Sequence, residues 1–379
     1  MYKLGRSYYN SCLDNPKIKP CDFPRAVNNN KSNPPAARIA VVGTGWWATE
    51  IHIPSIRQRK DAQLISLCDT DSDRLTAASI KYGVSRIYTN LPAMLAQEEL
   101  DGIVVATSNS SHYTVTRACL NAGLHVMLEK PMTLLAQEAE SLTELAAAKS
   151  RALIVGYPFN FTPYATRSRE VILSGAIGAV QYINLVFNSN MTPLFSGTFV
   201  SNFAVHGPDQ YTKSNLLGGG HGQVQLTHAI GLLCFVTGVR ARRVNALMRN
   251  FSPHVDWIDA LTVEFTNGAI GTVSGSGNWE GFSFRLEVGC QRGWVMLDAG
   301  CGTATIHVNG IAENEVVPDI DRGAVSLGHV TAHNLVDTVL GISPNGSPPE
   351  QGCYAVEILE AAYRSAAENG RTVTILELY

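Results

Sequence analysis

The sequence predicts an α/β protein: a first half built as an open parallel sheet with helices on its faces, then a second half of α+β type with a large, mostly antiparallel open sheet. Three observations point there. A strand, a glycine turn, a helix and a second strand follow one another between Ala37 and Asp69. Apolar strands then alternate with helical segments as far as Gly156. From Tyr157 onward strand-like segments dominate, one of them ending in an Asn267-Gly268 hairpin turn.

Arg38-Ile39-Ala40-Val41-Val42 reads as a buried strand, and Gly43-Thr44-Gly45-Trp46-Trp47-Ala48 as a turn that opens a helix. Gly43 permits the turn, Gly45 lets backbone approach a pyrophosphate, and Ala48 allows close helix–strand packing. The N–H groups at the helix start then face two phosphates. This is the pattern of a Rossmann dinucleotide-binding unit. It is answered 26 residues after Gly43 by Asp69, at the end of the second strand. A carboxylate there accepts hydrogen bonds from a ribose diol and repels a 2′-phosphate, so NAD is expected over NADP. Arg74 and Ser72 are the nearby residues able to accommodate a phosphate instead.

Helices over 73–82, 113–122 (closed by Gly123) and 135–149, with strands over 101–107, 124–129 and 152–156, complete the first half. Ligands of such a sheet lie beyond the carboxyl ends of its strands. Those ends lead into the glycine turn, into Thr107-Ser108-Asn109-Ser110-Ser111-His112 and into Glu129-Lys130-Pro131. Thr107, Asn109, His112 and Glu129, with Trp46 and Trp47, are therefore candidate cofactor contacts. Lys130 ends an apolar strand facing the nicotinamide half of a bound dinucleotide. Its ammonium can donate to a substrate oxygen and stabilise an alkoxide as hydride leaves carbon.

The second half carries strand patterns over 180–188, 241–249, 258–266, 269–275, 283–289, 293–298 and 303–308, and helices over about 222–236 and 355–368. In the first of these helices Gln225 and His228 lie three apart and share a face, and His221 is placed to face the same way at its entrance. His228 is a natural base for an alcohol proton. Tyr157 and Phe161, with the two tryptophans, offer apolar faces to a sugar ring or nicotinamide.

Composition narrows the classes. The chain has 379 residues, 45% hydrophobic and 16% charged, with a net charge of −3. Neither nucleic acid nor an anionic membrane is expected as a partner, and no apolar run reaches transmembrane length. Eight cysteines are scattered without metal-type spacing, so no metal site is expected; free thiols in a reducing, cytoplasmic setting are. Residues 1–35, rich in Asn, Pro, Lys and Tyr, read as an extended arm without a secretory h-region, either disordered or lying on a neighbouring subunit with Tyr2, Tyr8 and Tyr9 as its anchors. The expected division is an arm over 1–35, an NAD-binding domain over 36–156, and a substrate-binding and oligomerisation domain over 157–379.

The glycine turn, Asp69, the Thr107–His112 cluster, Gly123-Leu124-His125-Val126, Glu129-Lys130-Pro131 and the Gly218-Gly219-Gly220 run leading to His228 together resemble the Gfo/Idh/MocA oxidoreductases, over about residues 37–375. The resemblance implies a site between the two halves, in which Lys130 and His228 act on a hydroxyl of a small-molecule sugar or polyol. It also implies homodimers or homotetramers formed through the second sheet. The chain departs from the family's pattern at Val224, where an acid is common, and at Asn160-Phe161-Thr162-Pro163, which lacks a customary arginine; Ser108 also replaces a common proline. His228 is therefore expected to act as sole base, oriented by Gln225. The expected activity is hydride transfer between NAD and a hydroxyl or keto carbon of a sugar, glycoside, inositol or related cyclic polyol. A redox-assisted lyase or glycosidase and a non-catalytic NAD-binding regulator remain alternatives.

Overall fold

A computed structural model describes residues 36–196, 198, 214, 217–250, 254–319 and 327–379; the arm expected over 1–35, with Tyr2, Tyr8 and Tyr9, lies outside them. Strands β1 (Ala37–Val42), β2 (Ala62–Cys68), β3 (Ile87–Tyr88), β4 (Gly102–Val105), β5 (His125–Leu128) and β6 (Leu153–Val155) form a parallel sheet in the order β3-β2-β1-β4-β5-β6. The order reverses between β1 and β4, which opens a crevice at their carboxyl ends. Helices α1 (Ile53–Gln58), α2 (Ser72–Tyr82), α3 (Leu91–Gln97), α4 (His112–Asn121) and α5 (Ala136–Ala148) connect the strands. β4 is buried along its whole length, as a strand covered on both faces must be.

The second sheet has nine strands among the described residues. They are β7 (Val180–Asn190), β8 (Ala241–Arg249), β9 (Ile258–Phe265), β10 (Ile270–Ser276), β11 (Asn278–Cys290), β12 (Gly293–Asp298), β13 (Thr303–Val308), β14 (Glu315–Pro318) and β15 (Val373–Thr374). Their order is β14-β13-β12-β11-β7-β10-β9-β8-β15, antiparallel except where β10 meets β7. Alternation sorts the two faces. Ile183, Leu185, Phe187, Phe284, Leu286 and Val288 are buried inward, whereas Leu247, Ile270, Trp294 and Met296 stay exposed on the other side.

Five further helices follow: α6 (Pro163–Leu173), α7 (Thr192–Phe195), α8 (Thr227–Thr237), α9 (Val330–Val339) and α10 (Pro349–Ala367). α8 and α10 cover the inward face of the second sheet, and α10 also packs on α5. One continuous apolar cluster therefore runs from Val105 and Leu128 of the first sheet through Tyr157 and Leu232 to Leu261 and Phe284 of the second.

The structure departs from the sequence expectations in several places, α6 among the elements not foreseen. The helix expected over 222–236 begins as a π-turn, Gly222–Leu226, in which Thr227 N donates to Gly222 O five residues back. α10 begins at Pro349, well before residue 355, because a proline suits the first helical position, where its missing N–H costs nothing. α9 was not foreseen. It returns to the parallel sheet, where Ala332, Leu335 and Val336 pack with Ile39, Val104 and Met127. Among the described residues no helix is long and apolar enough to cross a membrane, the six described cysteines form no disulfide, and no cluster suited to a metal ion occurs.

Candidate active site

The nucleotide end is built by the turn after β1. Gly43 has φ 88°, and a Cβ there would stand 2.3 Å from Ala106 O, so only glycine fits. Gly43 N donates to Cys68 O at 2.8 Å, tying the turn to the end of β2. The following helix opens with a π-turn, Ala48–His52, in which Ile53 N reaches back to Ala48 O. Pro54 accounts for it: its ring would collide with the carbonyl four residues earlier in a regular helix, and widening the turn relieves this. That helix start has no side-chain cap, whereas Asp71 caps α2 and Asn90 caps α3. Uncapped first-turn N–H groups beside a glycine turn fit a pyrophosphate.

Asp69 is buried, and its carboxylate is well supplied with donors. Oδ2 accepts from Thr44 N (2.6 Å), Thr44 Oγ1 (2.9 Å) and Arg74 Nε (3.1 Å); Oδ1 accepts from Asp71 N (3.0 Å) and Arg74 Nη2 (2.7 Å). Burial pushes its pKa up, but the Arg74 fork and the two backbone donors outweigh this and hold it below the usual carboxylate range. Asp69 and Arg74 thus form one ion-paired unit at the end of β2, with the arginine offsetting the charge of the acid.

Beyond β5, Glu129 organises the middle of the cleft. Its Oε1 accepts from Trp47 Nε1 at 3.0 Å and pairs with His52 Nε2 at 2.8 Å; its Oε2 accepts from Lys130 N at 3.1 Å. Burial alone would raise the Glu129 pKa, but the His52 bond leads the opposing effects, and the net result is about 2. Glu129 and Trp47, both expected to touch cofactor, bond each other, and His52 joins them. A histidine on an apolar helix face gave no signal that its partner lies on another strand.

Lys130 Nζ donates to Val224 O at 2.9 Å, so the amine from the first sheet meets the π-turn of the second unit. Burial holds its pKa below the ordinary lysine value against the pull of Glu129. Between residues 221 and 237 only Gln225 and His228 are partly exposed, and the others are buried. Burial, reinforced by the Lys130 charge, holds the His228 imidazole well below its ordinary pKa, leaving it neutral and able to accept a proton.

Several candidates lie elsewhere than expected. His221 does not join that stripe: the π-turn shifts its phase, and the fully buried ring pairs through Nδ1 with Asp259 Oδ2 at 2.7 Å. Tyr157 is also buried, its hydroxyl 3.0 Å from Thr227 Oγ1 and its ring packed beneath α8. Phe159 takes the place expected for Phe161. It is half-buried with its ring centroid 6.1 Å from that of His228, while Phe161 packs near Gly346. His112 is buried with Nδ1 2.7 Å from Pro131 O, so it braces the Lys130-Pro131 turn. Thr107 Oγ1 accepts from Ser111 Oγ at 2.9 Å, and Asn109 Nδ2 donates to Gly218 O at 2.8 Å, joining the two halves. Trp46 stands edge-on to Trp47 with centroids 5.0 Å apart.

Comparison with known proteins agrees with this architecture. The profile of the oxidoreductase family with an NAD-binding Rossmann fold, Gfo/Idh/MocA, matches residues 37–157, and the Gfo/Idh/MocA C-terminal domain matches residues 166–296. The chain is 25% identical to a D-glucoside 3-dehydrogenase of Escherichia coli, over 89% of this chain and 97% of that protein. It is 24% identical to an inositol 2-dehydrogenase of Saccharopolyspora erythraea, over 88% and 95%. The fold superposes on an inositol dehydrogenase homologue from Azotobacter vinelandii solved with NAD+, with a TM-score of 0.76 and 21% identity, over 92% of this chain and all of that one. With both halves matched, the chain belongs to the Gfo/Idh/MocA family of NAD-binding oxidoreductases.

Proposed function

We propose that the protein is an NAD-dependent dehydrogenase or reductase acting on a hydroxyl or keto carbon of a sugar, glycoside, inositol or related cyclic polyol. The observation that carries this reading is the meeting of Lys130 Nζ with Val224 O, beside the opening of Gln225 and His228. When bound, NAD supplies the hydride acceptor. The neutral His228 takes the hydroxyl proton, and Gln225 orients the hydroxyl. The Lys130 amine exchanges Val224 O for the substrate oxygen and stabilises the negative charge that develops on it. Phe159, edge-on to His228, offers an apolar wall to the ring. Gly43, Gly45 and the uncapped helix start hold the pyrophosphate, and Asp69 with Arg74 meets the ribose. The names of the glucoside and inositol dehydrogenase relatives support a sugar or cyclic polyol substrate.

The test is NADH formation across a panel of sugars, glycosides and inositols. Net NADH in proportion to oxidised product is expected. Release of an aglycone without net NADH would replace this reading by oxidation, elimination and re-reduction on a retained nucleotide. We also propose a homodimer or homotetramer formed through the exposed face carrying Leu247, Ile270, Trp294 and Met296, to be measured by sedimentation.

A further inference from the structure

We propose that Asp256 is a positioning residue for this reaction: it grips the start of the π-turn, and so sets where Val224 O meets Lys130 and where Gln225 and His228 open. The proposal rests on the functional reading above. Asp256 is fully buried and holds the turn's first two N–H groups. Its side-chain Oδ2 accepts from Gly222 N at 2.6 Å, and its backbone O accepts from His221 N at 2.9 Å. Its remaining oxygen, Oδ1, accepts from Tyr363 Oη of α10 at 2.9 Å. A Cβ on Gly222 would stand 2.6 Å from that hydroxyl, so glycine admits the phenol. His221 is fixed in turn by Asp259, and its ring packs against Phe187 of β7.

Gly222 is the residue whose carbonyl closes the π-turn by accepting from Thr227 N. Its amide is held by Asp256, and two residues later Val224 O receives the lysine. A grip at Gly222 therefore fixes the wide turn that brings this carbonyl to Lys130. Capping alone does not call for this arrangement, since one exposed Ser or Asn does that. Here two carboxyls, an imidazole and a phenol are buried together at considerable desolvation cost. His221, Asp256, Asp259 and Tyr363 are the titratable groups of the cluster. Burial, with Asp259 nearby, raises Asp256 to about 8; burial raises Asp259 to about 7 and lowers His221 to about 4.

The test compares Asp256→Ala, which removes the acceptor, with Asp256→Asn, which keeps an oxygen for Gly222 N, and with Tyr363→Phe. Hydrogen exchange by mass spectrometry over residues 222–228, NADH affinity, kcat and KM are measured on the full chain. D256A is expected to accelerate exchange in that segment and to lower kcat by about tenfold to a hundredfold through displacement of the reacting groups. KM and NADH affinity should stay within about threefold, and D256N should recover most of the loss. Y363F, which leaves the Gly222 bond intact, should lie between wild type and D256A. Unchanged exchange in D256A, or kcat equally low in D256A and D256N, would overturn the proposal. If wild type turns over nothing on the substrate panel while exchange still rises in D256A and not in D256N, the grip on the turn stands, and the dehydrogenase reading falls.

Discussion

Replacing Glu129 by Gln keeps the shape of the side chain and removes its charge. Three donors converge on that carboxylate: Trp47 Nε1, His52 Nε2 and Lys130 N. The amide can satisfy those on one oxygen only, and its NH2 group then faces another donor. The pKa is held near 2 against an ordinary 4.5. That shift of about 2.5 corresponds to about 3 kcal/mol of stabilisation of the ionised form. Spread over the unfolding entropy of a chain this size, it lowers the thermal midpoint by about 4 °C. The sign with pH follows from the depressed pKa. The stabilisation is full above the unfolded value of 4.5 and is lost as pH falls through the folded value near 2. Calorimetry of wild type and E129Q should therefore show a gap that is widest near neutrality and closes in acid. Turnover should also fall, because Lys130 and Trp47 share the same anchor. A gap below about 0.5 kcal/mol, or one that does not change with pH, would refute this account of Glu129.

Gly43→Ala places a methyl group against Ala106 O at a positive φ; NADH binding measured by fluorescence should be lost in any fraction that folds. Lys130→Met should lower kcat by about a hundredfold to a thousandfold while NADH affinity stays within about threefold. In the wild type, burial depresses the Lys130 pKa, so raising pH removes its charge early, and kcat should begin to fall below the ordinary lysine value of 10.5. Val224→Asp, which restores the acid common in the family at that position, should not improve catalysis. The Val224 side chain is buried among Met191, Phe195 and Val255, and a carboxylate there should cost about 3 kcal/mol or more in a denaturation experiment.

Much of this architecture was readable because its signals are local. A buried parallel strand is a run of apolar residues, and the turn after β1 needs a glycine at Gly43 whatever follows. The strands of the second sheet alternate visibly because one face is covered and the other is not. The π-turns left no such mark: widening by one residue does not alter composition, yet it carried His221 away from Gln225 and His228. His52 and Glu129 are 77 residues apart and meet only through the fold. Phe159 and Phe161 look alike in sequence, and the 3₁₀ turn over Pro158–Phe161 decides which one faces His228. α9 is short and interleaves Thr331, His333, Asn334 and Asp337 with its apolar residues, so its apolar face showed only once the parallel sheet lay beneath it.

The central claim is that Lys130, after β5, and His228, on α8, linked through Val224 O, act together on one carbinol. The most direct measurement uses a polyol or glycoside deuterated at the carbinol carbon, following the label by NMR into nicotinamide C4 in wild type, Lys130→Met and His228→Ala. Label should reach C4 in wild type and do so about a hundredfold or more slowly in both variants, with NADH binding retained in each. Label that never reaches C4 in wild type, or that reaches it undiminished in either variant, would contradict the account.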